Sequence, residues 1–117
     1  MHHILLVEDD PDVGTLLEHT LLGAGYHVSR VGTLAAAELL LDDRSHDLLL
    51  ADMRLPDGCG IDVADKAKAR GIKTLLLTGD AFRAAPERLE AHPYVLKPIR
   101  PRELLVVIER VLRGVGP

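Results

Sequence analysis

The chain has 117 residues, which is the size of one ordinary domain built around a single hydrophobic core. Apolar residues make up 47% of the sequence, but no apolar run approaches the roughly 20 residues that a bilayer span needs, and the single cysteine excludes an internal disulfide. With a net charge of -4, two tyrosines and one phenylalanine, the chain offers neither a cationic surface nor a base-stacking platform. We therefore expect a soluble cytoplasmic protein with no membrane contact and no direct binding to nucleic acid.

Short apolar runs alternate with longer amphipathic stretches along the chain. Residues 4–7, 48–51, 74–77 and 94–96 are continuous or nearly continuous apolar runs, which is typical of strands covered on both faces. Residues 26–31 instead alternate between apolar and polar side chains, which predicts an edge strand. The sequence therefore predicts five strands.

The helix signals lie between these predicted strands. The apolar stripe of the first helix consists of Val13, Leu16, Leu17 and Leu21. Thr33 is placed to cap the start of a second helix, and Gly71 to close a third. The last helix is expected to begin at Pro101 and to stop at Gly114. A proline interrupts residues 82–93, which predicts a short or irregular fourth helix there.

This order repeats a strand followed by a helix five times. It predicts an α/β fold in which residues 1–117 form one domain, a doubly wound five-stranded parallel sheet with helices on both faces. In such folds the reactive groups lie at the carboxyl ends of the strands. The residues directly after each apolar run are therefore the candidates for a functional site.

Charged and hydroxyl side chains follow four of the five predicted strands. They are Glu8, Asp9, Asp10, Asp12, Asp52, Thr78 and Lys97. Each of them alone has an ordinary structural explanation, such as an acid at the start of a helix or a polar residue in a turn. Together they bring several carboxylates to one edge, where two of them about 5 Å apart repel by roughly 3 kcal/mol at an effective dielectric constant near 20. Such a cluster needs a cation, and oxygen ligands at a partly hydrated site favour Mg²⁺.

Sequence motifs occur at these strand ends in a fixed order: LLVEDD, LLLADMRLP, LLLTG and YVLKP. They resemble the receiver domain of two-component response regulators, and the resemblance covers residues 4–112. It implies a flavodoxin-like receiver fold and a phosphoprotein that takes part in phosphorelay signal transduction.

The resemblance also implies the reacting groups and the metal ligands. Asp52 would accept the phosphoryl group, and Thr78 and Lys97 would hold the phosphoryl oxygens. Asp9 and Asp52 would bind Mg²⁺, and Glu8 would do so mainly through water. These roles fit the chemistry, because a carboxylate can attack phosphorus only when the incoming negative charge is neutralised.

Further roles are implied for residues around this site. The backbone carbonyl of Arg54 would be another Mg²⁺ ligand, and Thr78 and Tyr94 would form the conformational switch. Arg54 and Asp80 stand where the family modulates the lifetime of the phosphate, and we expect their side chains to pair across the mouth of the site. The six histidines are expected at the surface, since the phosphohistidine of the reaction belongs to the partner kinase.

We expect a switch that accepts a phosphoryl group from a sensor histidine kinase or a histidine phosphotransfer protein and then changes its affinity for an unknown downstream protein. It would catalyse only its own aspartyl phosphorylation and dephosphorylation. One alternative is a receiver domain excised from a larger hybrid kinase or transcription factor, although Met1 just before the first strand favours a stand-alone chain. Another is a Mg²⁺-dependent phosphohydrolase, but those enzymes carry an aspartate where this chain has Arg54. A third is a receiver-like binding module that is never phosphorylated.

Overall fold

The structure, a computed structural model, describes residues 2–43, 45–79 and 91–115. Within these ranges the strands are β1 (His3–Val7), β2 (His27–Val31), β3 (Leu48–Asp52), β4 (Arg54–Leu55), β5 (Gly58–Cys59), β6 (Lys73–Thr78) and β7 (Tyr94–Leu96). The helices are α1 (Pro11–Gly23), α2 (Leu34–Asp43), α3 (Gly60–Ala69) and a C-terminal helix (Pro101–Leu112).

The main sheet has five parallel strands in the order β2-β1-β3-β6-β7. Val7 at the end of β1 lies opposite Ala51 in β3, and Thr78 at the end of β6 lies opposite Leu96 in β7. The carboxyl ends of these strands therefore share one edge of the sheet. The parallel sheet is confirmed, and so is the position of β2 at its edge.

Each central strand contributes to two hydrophobic cores, because successive side chains of a strand point to opposite faces of the sheet. In β1, Ile4 and Leu6 belong to the core that contains α1 and the C-terminal helix, whereas Leu5 and Val7 belong to the core that contains α2 and α3. All four side chains are fully buried. Helices therefore cover both faces, as the continuous apolar runs predict.

The helix ends follow the signals in the sequence. The Asp10 carboxylate accepts a hydrogen bond from the Asp12 N–H at 2.9 Å and so caps α1. The Thr33 hydroxyl caps α2 by accepting from the Ala36 N–H at 3.1 Å. Gly71 follows α3 with φ of 78°, a left-handed conformation that favours glycine. The predicted start of α2 and the predicted end of α3 are confirmed.

The prediction that residues 94–96 are covered on both faces is wrong. Val95 packs against the core that contains the C-terminal helix. Tyr94 and Leu96 point to the opposite face of the sheet and are 40% and 58% exposed. The reason is the position of β7, which has only three residues and ends the strand order, so that the described residues pack against only one of its faces.

The prediction that all histidines lie at the surface is also wrong, because His46 and His92 are buried. One ring nitrogen of His92 lies 2.7 Å from the hydroxyl of Thr74, and the other lies 2.7 Å from a carboxylate oxygen of Asp65. The ring of His46 packs edge-on against that of His3, with 4.7 Å between the ring centroids. Both ring nitrogens of His92 thus have polar partners, which offsets the cost of burying its imidazole.

The segment between β6 and β7 is described only at its ends. Residues 82–90 of the predicted fourth helix lie outside the described residues, and residues 91–93 are not helical. Among the helices in the described ranges, none is long and apolar enough to cross a membrane.

Shortening a side chain of the C-terminal helix where it packs against the sheet should destabilise the protein. Ile108 is fully buried, so we expect Ile108→Ala to lower the free energy of unfolding by about 2–5 kcal/mol. Val106 lies on the same helix but is 58% exposed, and Val106→Ala should change it by less than about 0.5 kcal/mol. Chemical denaturation followed by circular dichroism measures both values. Equal effects would contradict this orientation of the helix.

Candidate functional site

The carboxyl edge of the sheet collects the polar residues that follow the strands. Glu8 and Asp9 come directly after β1, Asp52 is the last residue of β3, Thr78 is the last residue of β6, and Lys97 follows β7. These four strands are parallel neighbours in the sheet. Residues that are up to 89 positions apart in the chain therefore meet at one place, as the Lys97 contact with Glu8 shows.

Glu8, Asp9 and Asp52 form an acidic cluster at this edge. Each offers a carboxylate oxygen, and these oxygens all lie within 4.8 Å of one another. Glu8 and Asp52 are only 3% and 8% exposed, whereas Asp9 is open to solvent. The ammonium nitrogen of Lys97 lies 2.7 Å from Asp52 Oδ2 and 3.1 Å from Glu8 Oε1. One lysine thus bridges the two buried carboxylates and offsets part of the charge of the cluster.

The ionisation of this cluster reflects both burial and the lysine. Burial raises the pKa of Glu8 above its usual value, although hydrogen bonds from the Asp10 N–H and from Lys97 act in the opposite direction. Burial alone would lower the pKa of Lys97, but hydrogen bonds to Asp52 and Glu8 outweigh burial and raise this pKa. The charged form of Lys97 is therefore stabilised, whereas the ionised form of Glu8 is disfavoured relative to its protonated form.

A pocket of about 400 Å³ opens beside the acidic cluster. It is lined by Asp52, Met53, Arg54, Thr78, Gly79 and Lys97. The backbone carbonyl of Thr78 accepts a hydrogen bond from the Lys97 N–H at 2.8 Å, which aligns the two strand ends. The Lys97-Pro98 peptide bond is cis. Residues that carry a carboxylate, a hydroxyl and an ammonium group therefore surround one open space.

The loop after β3 contains an antiparallel pairing of β4 with β5 that the sequence analysis did not predict. The Arg54 N–H donates to Asp52 Oδ1 at 3.2 Å, and the Gly60 N–H donates to the Met53 carbonyl at 2.9 Å, which closes the loop. A Cβ atom at Gly60 would lie 2.1 Å from the Asp52 carbonyl oxygen, so the fold requires glycine there. Sequence reasoning missed this residue. The sequence feature that could have revealed it is a glycine at the start of a helix, because glycine is a poor helix former and its presence there indicates a special backbone requirement.

The other predicted site residues are Tyr94, Arg54 and Asp80. Tyr94 begins β7 opposite Leu76 and is partly exposed. Arg54 is exposed and lines the pocket. Asp80 lies outside the described residues, so its pairing with Arg54 stays a prediction.

The donor set of the acidic cluster fits Mg²⁺, the cofactor that the resemblance implies. The cluster offers carboxylate oxygens, and the exposure of Asp9 leaves room for the water ligands that Mg²⁺ retains. When ionised, three carboxylates and one lysine leave an excess of two negative charges, which a divalent cation balances. The chemistry of these residues therefore suits a magnesium site.

A known protein family matches most of the chain. The family model described as the response regulator receiver domain covers residues 4–109. The chain belongs to this family. The sequence resemblance is thereby confirmed, and the match includes every residue of the acidic cluster and the pocket.

Named relatives are similar along the whole receiver domain. The TorCAD operon transcriptional regulatory protein TorR of Escherichia coli (strain K12) is 32% identical over 115 residues, which cover 95% of this chain and 50% of TorR. The chain spans about half the length of the curated relatives it matches.

Solved structures share the fold of this receiver domain. The response regulator TrrA of Thermotoga maritima, in complex with Mg²⁺-BeF, has a TM-score of 0.86 at 26% identity and covers 95% of this chain and 99% of its own. The receiver domain of a sensor histidine kinase from Pseudomonas aeruginosa PAO1, with a magnesium ion coordinated in its active site cleft, has a TM-score of 0.84 at 30% identity, with coverages of 96% and 98%. The doubly wound receiver fold is confirmed.

Mg²⁺ should stabilise this receiver domain, because the ion would relieve repulsion within the acidic cluster and bind only the assembled site. At about 100 times Kd the free energy of unfolding should rise by roughly 2.7 kcal/mol. Unfolding curves recorded in EDTA and in Mg²⁺ measure this increment. Asp9→Ala should lose it, whereas Asp12→Ala, which changes an exposed acid outside the cluster, should keep it. If the free energy of unfolding of Asp9→Ala rose with Mg²⁺ as much as that of the wild type, the ion would bind somewhere other than the acidic cluster.

The raised pKa of Glu8 predicts how stability depends on pH in EDTA. The folded protein holds the Glu8 proton more tightly than the unfolded chain does, because the pKa of Glu8 is raised on folding. The contribution of Glu8 to the free energy of unfolding is therefore highest below the unfolded pKa of 4.5, and it falls as the pH rises through the folded pKa. Glu8→Gln should therefore be more stable than the wild type at neutral pH, and the difference should vanish below 4.5. Denaturation across this pH range measures the difference. A less stable Glu8→Gln protein at neutral pH would contradict it.

Proposed function

We propose that this receiver domain is a phosphorylation-controlled signalling switch in which Asp52 accepts a phosphoryl group from a sensor histidine kinase or a histidine phosphotransfer protein. The observation that carries the proposal is the contact of the Lys97 ammonium with Asp52 Oδ2 at 2.7 Å, next to the oxygens of Glu8 and Asp9. A carboxylate that contacts an ammonium group, faces an open pocket and lies where a divalent cation would bind is suited to attack an anionic phosphoryl group.

The proposed reaction starts with the Asp52 carboxylate, which is nearly buried and held by the Arg54 N–H and by Lys97. One of its oxygens forms a bond to phosphorus while the bond from phosphorus to the donor nitrogen breaks, and the electron pair returns to the imidazole of the partner. Lys97 and Thr78 would hold the phosphoryl oxygens in the pocket. Mg²⁺, when bound, would neutralise the charge that these oxygens bring.

The same contacts suggest how phosphorylation would be read by a partner. Before the reaction, Lys97 divides its ammonium between Asp52 and Glu8. A phosphoryl group on Asp52 adds oxygens that compete for this ammonium and for the hydroxyl of Thr78. We propose that Thr78 and Tyr94 carry the resulting change to the surface, where a downstream protein would detect it.

Catalysis by the chain is proposed to be limited to its own aspartyl phosphorylation and dephosphorylation. Arg54 lines the pocket and is exposed, which supports a role for it on the approach of an attacking water. We therefore keep the proposal that Arg54 and Asp80 set the lifetime of the phosphorylated state.

A second proposal is that the chain works as the receiver part of a larger regulator. The length comparison favours it, since TorR is matched over only 50% of its length. The solved receiver domain of a sensor histidine kinase is a relative from a different kind of multidomain protein. In either setting Asp52 would carry the same chemistry.

A small phosphodonor should add one phosphoryl group to the chain, at Asp52. Intact-mass measurement after incubation with acetyl phosphate and Mg²⁺ should show one adduct, because Asp52 is the carboxylate that both contacts the lysine and lines the pocket. Asp52→Asn should abolish the adduct, and Asp12→Asn, which alters an exposed acid on α1, should retain it. An adduct that survives in Asp52→Asn would refute the assignment.

A further inference from the structure

Asp57 ties the loop after β3 to the start of α2. Its Oδ1 accepts a hydrogen bond from the Leu34 N–H at 2.8 Å, and its Oδ2 accepts one from the Ala35 N–H at 3.0 Å. The Leu34 and Ala35 amides hold the pKa of Asp57 below its usual value, so the carboxylate is charged when it makes these bonds. We call this arrangement the Asp57 clamp.

The loop that the clamp holds is anchored by Leu55, which packs into the core that contains α2 and α3, but its own strand pairing is short. β4 and β5 pair through only two residues each, and an isolated pairing of this size is barely stable in water. The tip of the loop rests on α2, because a Cβ atom at Gly58 would lie 2.6 Å from Leu34 Cδ1. Gly58 also has φ of 149°, a conformation that favours glycine. The Asp57 clamp therefore acts where the loop meets the helix.

The segment just before α2 is in contact with the acidic segment after β1. The Glu8 N–H donates to the Val31 carbonyl at 3.0 Å. A Cβ atom at Gly32 would lie 3.7 Å from Asp9 Cα, which shows how closely these two backbones approach. The segment just before α2 thus contacts the two acids, and the start of α2 is held by Asp57.

We infer that Asp57 is a positioning residue for the magnesium site, because it fixes the loop that carries the Arg54 carbonyl relative to Glu8 and Asp9. This inference rests on the proposed function, in which these groups hold Mg²⁺. Ligands from two separate loops bind an ion more tightly when both loops are already held in place, since less conformational freedom is lost on binding. Asp57 is not itself a proposed ligand and acts through the loop.

The test must separate the positioning of the loop from ordinary capping of α2. Thr33 caps the same helix through the Ala36 N–H, but it precedes that helix directly and makes this bond within its own segment. Thr33→Ala is therefore the matched control for Asp57→Ala. The dependence of the free energy of unfolding on Mg²⁺ concentration yields the Mg²⁺ affinity of each full chain, separately from its stability in EDTA.

Asp57→Ala should weaken Mg²⁺ binding by about three- to tenfold, at or below the lower end of the roughly ten- to hundredfold loss seen for residues that contact metal ligands directly, because Asp57 acts through the loop. Thr33→Ala should lower stability in EDTA but leave the Mg²⁺ affinity within about twofold of the wild type. Asp57→Asn keeps an acceptor without the charge and should fall between, and it serves as the test if Asp57→Ala does not fold. Unchanged affinity in the Asp57 variants, or an equal loss in Thr33→Ala, would overturn the inference.

These measurements contain no phosphodonor, so they are independent of the proposed phosphorylation. If Asp52 is not phosphorylated but Asp57→Ala still weakens Mg²⁺ binding, the proposed function fails and the positioning role stands. If acetyl phosphate modifies Asp52 and Asp57→Ala binds Mg²⁺ normally, only the positioning role fails. As a second readout, the phosphorylation rate of Asp57→Ala should approach that of the wild type at saturating Mg²⁺ and fall below it when Mg²⁺ is limiting.

Discussion

Repulsion among three carboxylates at one edge of the sheet is the constraint on which the rest of this receiver domain depends. The oxygens of Glu8, Asp9 and Asp52 lie within 4.8 Å of one another, and two of these side chains are nearly buried. At such separations a pair of carboxylates repels by roughly 3 kcal/mol. Lys97 contacts two of the three and compensates only part of this charge. The remaining negative charge explains why a divalent cation suits this site.

The fold sustains this repulsion because the strands that carry the acids cannot move apart. Every residue of β3 is buried, and β1 is buried from Ile4 to its end, so both strands are held by packing on two faces. The loop after β3 is anchored in the core by Leu55, and beyond that contact it relies on individual backbone features. Gly60 lets one loop pass close to the Asp52 carbonyl, and the Asp57 clamp fixes the tip of the same loop on α2.

Features that depend on residues close in the chain could be predicted from the sequence, whereas features that depend on contacts between distant residues could not. The cap of α2 at Thr33 was readable because a cap and the amide it binds lie within three residues. The cap of α1 is equally local, but the sequence did not single out Asp10 among the neighbouring acids. The exposure of Tyr94 was not readable, since it depends on which elements cover β7. The burial of His92 depends likewise on Asp65, which is 27 residues away in the chain. The roles of the individual site residues stay predictions, whereas their meeting at one edge is observed.

The sequence by itself determined the parallel α/β architecture and the residues at the strand ends, because periodicity, caps and apolar runs are properties of neighbours in the chain. Only the tertiary structure decided which of those polar residues touch, that Lys97 reaches both Asp52 and Glu8, and that Asp57 holds a helix 23 residues away. Contacts of this kind depend on strand order and loop path, and many segments that could pair have similar local patterns. The distances within the site therefore become defined only once the whole chain is packed.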